Sequence, residues 1–488
     1  MRARKSIAHP WILQVSTDVF AIVCAYISMY HVRFSTEWGQ IIFTSVNRLL
    51  GIPRSGDLGA SLEIFYVENA PRLVLFLCLT ICFLYALLEL YAGRRFIRRR
   101  PVGANIFVAN AGALLMYYAY WYLTRNDFHP RSLFVSLLMI NVFYSVALRA
   151  LLDVVLRWLH RFGIGEVRTV LIGSGQHAEF LERVIDRRQP HGIRVIHRVE
   201  REDDESIATL LTRIDGILAD VRPELVVYVD AATPLNEVMQ IVEIAGRHHA
   251  AAKILARGLD VIVYQSRIPT DMILGAPLLH FEAPARVLVH ETLKRMYSTT
   301  AAFLALLVQL PIIGVIALAI RLTSPGPAMF IQDRIGRRGK MFNMYKFRTM
   351  TDHASELQAE MDEKNESGAG LFKIQDDPRI TWLGKLLRRY SIDELPQLIN
   401  VIRGDMALVG PRPLFPRDED DWMSGWHAAR QAGFPGITGL WQVSGRSDIN
   451  FENMCVLDIY YLRNQSWILD LKIIARTFGV VFYARGAY

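Results

Sequence analysis

Apolar residues along this chain gather into a few long runs instead of alternating with polar ones. Four runs fall in the first third, at roughly 11–30, 71–91, 104–123 and 132–152. Each is close to the ~20 residues a helix needs to cross a ~30 Å hydrocarbon core. The first follows "MRARKSIAHP". A cleaved signal peptide would also start basic, but no clear small-residue cleavage site follows and three more runs do, so a retained helix is expected. Basic residues mark one side of such a bundle. Arg2, Arg4 and Lys5 precede the first run, "GRRFIRRRP" separates the second from the third, and Arg157 and Arg161 follow the fourth. The positive-inside rule makes that side cytoplasmic.

The pattern then changes. "VRTVLIGSGQHAEFLERVIDRR" (167–188) reads as an apolar strand, a GxGxxA turn at Gly173, Gly175 and Ala178, and a helix. "PELVVYVDA" and "AAKILA" look like further strands between helices, which makes 161–290 a small Rossmann-like α/β domain. The glycines could seat a pyrophosphate. However, "IRVIHRVE" puts His197 and Arg198 where a dinucleotide site needs an acid, so a non-catalytic, structural or regulatory domain is expected.

A fifth apolar run covers 299–322, with Lys294 and Arg295 before it, Arg321 at its end and Pro311 in its middle. Proline removes a backbone hydrogen bond and clashes with the preceding turn, so a kink is expected. A full crossing would put everything after 322 outside the cytoplasm. A helix broken at Pro311 that dips in and returns suits the positive charge at both ends. Beyond 323 the chain is polar, basic and rich in Gly and Pro turns. "TWLGKLLRR" (381–389) separates apolar from basic groups at helical spacing, as a helix lying in the membrane interface would. "ASELQAEMDEKNESGAG" reads as a solvated helix leading into a mobile loop.

The totals agree with a membrane protein of several domains. The 488 residues are 52 % hydrophobic, with a mean hydropathy of +0.21. The formal net charge of +8 suits nucleic acid, anionic lipid or phosphorylated substrates. The four cysteines form no CxxC pair and no disulfide framework.

Candidate chemistry concentrates in "LRRYSIDELPQLINVIRGDMALVGPRP" (387–413), where Asp393 and Glu394 adjoin amid Arg388, Arg389, Arg403 and Arg412. The following Pro396 suits the first turn of a helix, with Ser391 or Ile392 near its N-cap. Both carboxylates would then project from that turn, where the helix N-terminus favours their ionised forms. Two carboxylates near phosphate need a cation between them, and Mg²⁺ is the natural one. An ionised carboxylate can also attack phosphorus. "GKMFNMYKFRTM" adds Lys346 and Arg348 on a strand-like segment, and "PGITGLWQVSGRS" adds Arg446 on a Gly-rich turn. Guanidinium groups match phosphate oxygens in pairs, so the set fits a diphosphate substrate.

With "SPGPAMFIQDRIGRRGKMFNMYKFRTM", "DDPRITWLGKLLRRYSIDELPQLINVIRGDMALVGPRP", "PGITGLWQVSGRSDI" and "LDIYYLRNQSWILDLKIIARTF", residues 290–488 resemble the bacterial sugar transferase family throughout. The bundle and the α/β domain resemble its long form. The resemblance implies transfer of a sugar-1-phosphate, glucose or galactose being the common sugars, from a UDP-sugar to undecaprenyl phosphate with release of UMP. It places the family's Asp-Glu dyad at Asp393, the nucleophile and Mg²⁺ ligand, and Glu394, which supports metal and proton chemistry. It places phosphate-binding groups at Lys346, Arg388, Arg412 and Arg446, and the re-entrant helix at 301–322. The expected architecture is therefore a four-helix transmembrane bundle (1–160), the Rossmann-like domain (161–290) and a membrane-associated α/β catalytic domain (291–488). It sits in the bacterial inner membrane with its chemistry facing the cytoplasm. Its partners are the two substrates and the bilayer, with no nucleic acid. The sequence leaves the oligomeric state open, and a homodimer is compatible with the long form.

Two other readings compete. An NAD-dependent nucleotide-sugar dehydratase or epimerase would need a YxxxK in the α/β domain, and none occurs between 165 and 290. A non-enzymatic scaffold for polysaccharide assembly would tolerate Asp393→Asn, which a transferase would not.

Overall fold

A computed structural model describes residues 10–41, 45, 63–64, 66–88, 90–91, 102–124, 131–187, 192–201, 205–230, 233–255, 271–273, 276–351, 378–416, 425–445 and 449–482. The basic segments 2–5 and 94–100, the acidic stretch 354–370 and Arg446 lie outside these residues. The chain divides into two compact units. One comprises 1–167 with 183–194, and the other 168–182 with 195–488.

The first unit carries four apolar helices: α1 (Pro10–Tyr30), α2 (Ala70–Leu87), α3 (Val102–Thr124) and α4 (Arg131–Arg161). All are long and apolar enough to cross a membrane. Their inward faces form one core around Ile22, Tyr85, Ile106 and Phe134, while Phe20, Leu79, Leu115 and Phe143 face outward. That inversion is expected where the solvent is hydrocarbon. Several buried polar groups are accordingly matched inside. Arg149 on α4 donates to both oxygens of Asp18 on α1, at 2.8 and 2.6 Å, and lies over the Tyr85 ring. Asn141 donates to Asn110, which donates to the Tyr85 hydroxyl.

A six-stranded sheet lies mainly in the second unit: β1 (Val167–Ile172), β2 (Ile193–Val199), β3 (Leu225–Tyr228), β4 (Ala251–Leu255), β5 (Asp271–Ile273) and β6 (Ala276–Phe281). The order is β2-β1-β3-β4-β6-β5. β1, β3 and β4 run parallel and are apolar nearly throughout, as central parallel strands must be. β6 and β5 add an antiparallel edge. Helices α5 (Gly175–Arg187), α6 (Ile207–Val221) and α7 (Leu235–Arg247) connect the strands. Gly173 and Gly175 take φ of +138° and +75° in the turn that launches α5. At the end of β2, Arg198 pairs with Glu182 and Glu200, both at 2.6 Å.

Next comes α8 (Pro284–Thr323), forty helical residues that continue across Pro311. Within its apolar span, Glu291–Thr323, the most apolar 18 residues have a mean hydropathy of 2.7. The remaining elements make a lobe. An antiparallel hairpin pairs β7 (Met329–Ile335) with β8 (Met341–Phe347). Two short helices follow, α9 (Trp382–Arg389) and α10 (Gln397–Arg403). Parallel β9 (Ala407–Val409) and β10 (Gly436–Thr438) lead to α11 (Phe451–Arg463) and α12 (Trp467–Phe482). Both halves of α8 meet this lobe. Ahead of Pro311, Ala302 packs with Met344, Leu398 and Val401. Beyond it, Ile313, Ile316 and Ile320 pack with Leu383, Leu387 and Ile392. One continuous core then joins the sheet to the lobe, from Val226 and Ile254 to Trp426, Met454 and Tyr461.

Candidate active site

Three elements bring the candidate groups together. Strand β8 presents Lys346, and period-2 geometry sets Met344 on the same face, with cross-strand Gln332 beside Met344 and Arg334 next along. Helix α10 is tied to β8 by Asn400, whose side chain donates to Asn343 O at 2.7 Å and accepts from Tyr345 N at 3.0 Å. Asn400 is fully buried and satisfies two backbone groups at the strand edge. The turn just before α10 is thereby held against Lys346.

That turn carries the two carboxylates. Asp393 and Glu394 lie in a 3₁₀ turn, Ile392–Glu394, and not in the first turn of an α-helix. Ser391 makes no side-chain cap; it sits at φ 53°, ends α9 and redirects the chain. Pro396 occupies the N-cap of α10. Asp393 is only 9 % exposed. Burial, then the Glu394 charge, pushes its carboxyl up to about 6, against the pull of Lys346 and Arg388. The expected lowering by a helix N-terminus is therefore outweighed, because the carboxyl is buried and an anion adjoins it.

Lys346 donates to Glu394 at 3.1 Å. Burial draws its ammonium pKa down, with Glu394 opposing. A narrow cleft opens here, lined among others by Arg334, Lys346, Glu394, Gln397 and Arg412. Arg388 reaches the turn from α9, donating to Thr349 Oγ1 at 3.0 Å. Arg348 points elsewhere. Its guanidinium donates to the carbonyls of Pro325 at 2.5 Å and Ser324 at 2.8 Å, just past the end of α8, where a cation complements the helix dipole.

Arg334, Gln397 and Asn400 stand in the quoted motifs, but their sequence neighbourhood does not mark them as site residues. The register of β7 with β8 sets Arg334, opposite Phe342, on the same face as Lys346, and both line the cleft. A roomier cavity of ≈ 590 Å³ lies between Leu293, Leu304 and Trp467. It is apolar and touches neither carboxylate, so it does not carry the chemistry.

Among the described residues no group of three His, Cys, Asp or Glu side chains converges as a metal cage. Mg²⁺ does not need one, since it binds through one or two carboxylates together with substrate phosphates and water. The buried Asp393 carboxyl beside Glu394, both oxygen donors, fits that mode.

Helix α9 has the two-faced make-up expected of an interfacial element. Thr381 caps it by accepting from Gly384 N at 3.0 Å. Leu383 and Leu387 turn inward, while Trp382 and Leu386 are 69 % and 47 % exposed beside Lys385 and Arg389. An outward apolar pair flanked by basic groups suits the boundary of a bilayer.

Comparison with known proteins fits this geometry. Residues 289–484 match the family model for bacterial sugar transferases, and 86–249 match a CoA-binding domain model. The chain is 42 % identical over 203 residues to the galactosyl transferase CpsE of Streptococcus agalactiae, covering 41 % of this chain and 44 % of that protein. It is 29 % identical over 341 residues to the undecaprenyl-phosphate galactose phosphotransferase of Salmonella typhimurium, covering 68 % and 71 %. It is 37 % identical over 199 residues to the exopolysaccharide production protein ExoY of Sinorhizobium fredii, covering 40 % of this chain and 88 % of that protein.

Proposed function

Since the chain belongs to the bacterial sugar transferase family, we propose that it moves a sugar-1-phosphate, of glucose or galactose, from a UDP-sugar to undecaprenyl phosphate and releases UMP. This would be the first membrane step of exopolysaccharide, capsule or O-antigen synthesis. The observation that carries the reading is the buried Asp393–Glu394 turn set against Lys346, with Arg388 and Arg412 around it.

The reaction divides into two displacements. An oxygen of ionised Asp393 attacks the β-phosphorus of the donor, and the bond to the bridging oxygen breaks with UMP as leaving group. The sugar-phosphoryl group is then held as an acyl phosphate on Asp393. A phosphate oxygen of undecaprenyl phosphate attacks the same phosphorus, and the carboxylate leaves. Lys346 and Arg412 offset the charge that builds on the phosphoryl oxygens, and the cleft keeps water from competing. Asp393 and Glu394 would hold Mg²⁺, which when bound neutralises diphosphate charge and lowers the cost of ionising Asp393.

UDP-sugars are cytoplasmic, so the lobe belongs on the cytoplasmic face of the inner membrane. Packing of α8 supports a re-entrant course. Ala302 and Ile320 are 18 residues apart, roughly 27 Å along a straight helix, close to the depth of the hydrocarbon core. Yet both sides of Pro311 pack on the same lobe. A helix bent at Pro311 without losing its helical turns would enter and leave through one face and satisfy both contacts.

The test is UMP release by purified protein in nanodiscs with undecaprenyl phosphate, Mg²⁺ and a panel of UDP-sugars. Release with one sugar, abolished by Asp393→Asn and by chelation, is expected. Release that survives Asp393→Asn would reject the covalent mechanism.

A further inference from the structure

Arg412 reaches the cleft from a strap, Val409–Leu414, whose carbonyls are held almost one by one. Val409 O accepts from the Tyr461 hydroxyl at 3.1 Å, and Pro411 O from Gly436 N at 2.8 Å. Arg412 O accepts from Arg430 Nη2 at 3.0 Å, Pro413 O from Arg334 Nη1 at 3.2 Å, and Leu414 O from Ile335 N at 3.0 Å. Prolines at 411 and 413 fix φ on either side of Arg412. The backbone from which the Arg412 side chain departs is thus tightly constrained.

One of these five donors is unlike the rest. Arg430 is 3 % exposed and lies on the 3₁₀ segment Gly425–Ala432. Its Nε and Nη2 both donate to Asp458 Oδ2 on α11, at 3.1 and 2.6 Å, and the same Nη2 donates to Arg412 O. Asp458 is 1 % exposed, and burial pushes its carboxyl up to about 6 although Arg430 pulls it down. Asp458 Oδ1 has no hydrogen-bond partner among the described residues. An ion pair so placed is a weak source of stability, because apolar residues of similar volume hold a core as well. What apolar residues cannot do is donate to the Arg412 carbonyl.

We propose that Arg430, held by Asp458, is a positioning residue that fixes the Arg412 main chain, and through it the guanidinium that grips the donor's diphosphate. This rests on the reading of Arg412 as a phosphate-binding group. Neither Arg430 nor Asp458 touches substrate; both act through Arg412.

The test is a double-mutant cycle on UDP affinity, measured by calorimetry with full-length protein in nanodiscs and Mg²⁺. Arg430→Met keeps the length and packing of the side chain but not the donor. It should lower the unfolding midpoint, because Asp458 is left buried without its cation, while the protein that remains folded binds UDP about ten-fold more weakly, equal to about 1.4 kcal/mol. Donor KM should rise similarly, with kcat changed less than about three-fold. Arg430→Lys, which keeps charge and a donor, should recover part of the affinity. In an Arg412→Ala background, Arg430→Met should cost nothing further, since its effect runs through the group already removed. Equal penalties in both backgrounds would overturn the proposal, as would native UDP affinity in Arg430→Met. If Arg430→Met fails to fold, Asp458→Asn takes its place in the same cycle with the same criteria. Native protein that binds UDP but turns over no donor would sink the transferase reading and leave the cycle to decide this one. Native protein that does not bind UDP would sink both.

Discussion

Gly384 sits where helix α9 crosses the end of strand β8, and an ideal Cβ there would lie 2.1 Å from Thr349 O. Side-chain carbons essentially never approach closer than 3.0 Å, so alanine must lift the helix by at least 3.0 − 2.1 = 0.9 Å. Three bonds depend on that contact. Thr381 N donates to Thr349 O at 3.0 Å, Thr381 Oγ1 donates to the same oxygen at 3.3 Å, and Arg388 Nε donates to Thr349 Oγ1 at 3.0 Å. A shift of ~1 Å stretches the first two beyond bonding range, at roughly 1 kcal/mol each, with overpacking strain of about 1–3 kcal/mol besides. Helix propensity works the other way, since alanine gains about 1 kcal/mol over glycine in a helix. The steric side wins, and Gly384→Ala should lose about 2–4 kcal/mol. Gly216 in α6 has nothing within 4 Å of its Cβ position and serves as control. Gly216→Ala should gain up to ~1 kcal/mol. Unfolding of both variants in detergent, followed by tryptophan fluorescence, makes the comparison. The displaced Arg388 should also raise donor KM in Gly384→Ala. Equal stabilisation by both alanines would refute the reasoning, because it would mean that α9 does not rest on the Thr349 carbonyl.

Three further outcomes follow from the same geometry. Asp393→Asn should reduce turnover by at least about 10³-fold, measured as UMP release, since the amide cannot attack phosphorus. Its unfolding midpoint at pH 7 should be native or higher, because a buried charge is removed. With Mg²⁺ present, turnover should fall as pH drops, at or below about 6, the Asp393 value in the absence of metal, and Lys346→Met should move that limb upward by removing an opposite charge. Stability carries the reverse sign: a carboxyl raised from 3.8 to about 6 takes up its proton more readily folded than unfolded. The native protein should therefore gain stability relative to Asp393→Asn as pH falls from about 6 to 4, by at most about 3 kcal/mol. In the bundle, Asp18→Asn should cost about 3–5 kcal/mol by leaving Arg149 buried without its anion. Replacing both partners, Asp18→Leu with Arg149→Met, should recover most of that in a detergent unfolding titration.

Much of this was legible in one dimension because it depends on local pattern. The apolar runs are near the length of the helices they form, and the GxGxxA turn launches α5 at Gly175. The dyad could be found because its carboxylates adjoin in sequence. What escaped depends on partners far along the chain. Asn400 grips a strand 55 to 57 residues away. Arg348 and Lys346 look alike in "MYKFRTM", yet Lys346 lies on β8 and faces Glu394 while Arg348 lies just past the strand's end and caps α8. The direction of the Asp393 shift was also hidden. Proximity to a helix start can be read from spacing, but burial beneath β8 cannot.

The core shared by the sheet and the lobe also constrains how the chain is made. Helix α7 packs on the segment Gly425–Ala432, Asn464 donates to His280 O at 2.9 Å, and Tyr460 meets Phe281 edge-on at 5.7 Å. The sheet side of that seam is complete in sequence well before its cover exists. From Arg247 to Arg463, 216 further residues must be added, about 10–40 s at ordinary translation rates. During that interval the α7 face has no native partner, and the ribosome is meanwhile delivering α8 to the bilayer. A nascent chain halted near residue 300 should therefore recruit holding chaperones that the finished protein no longer needs.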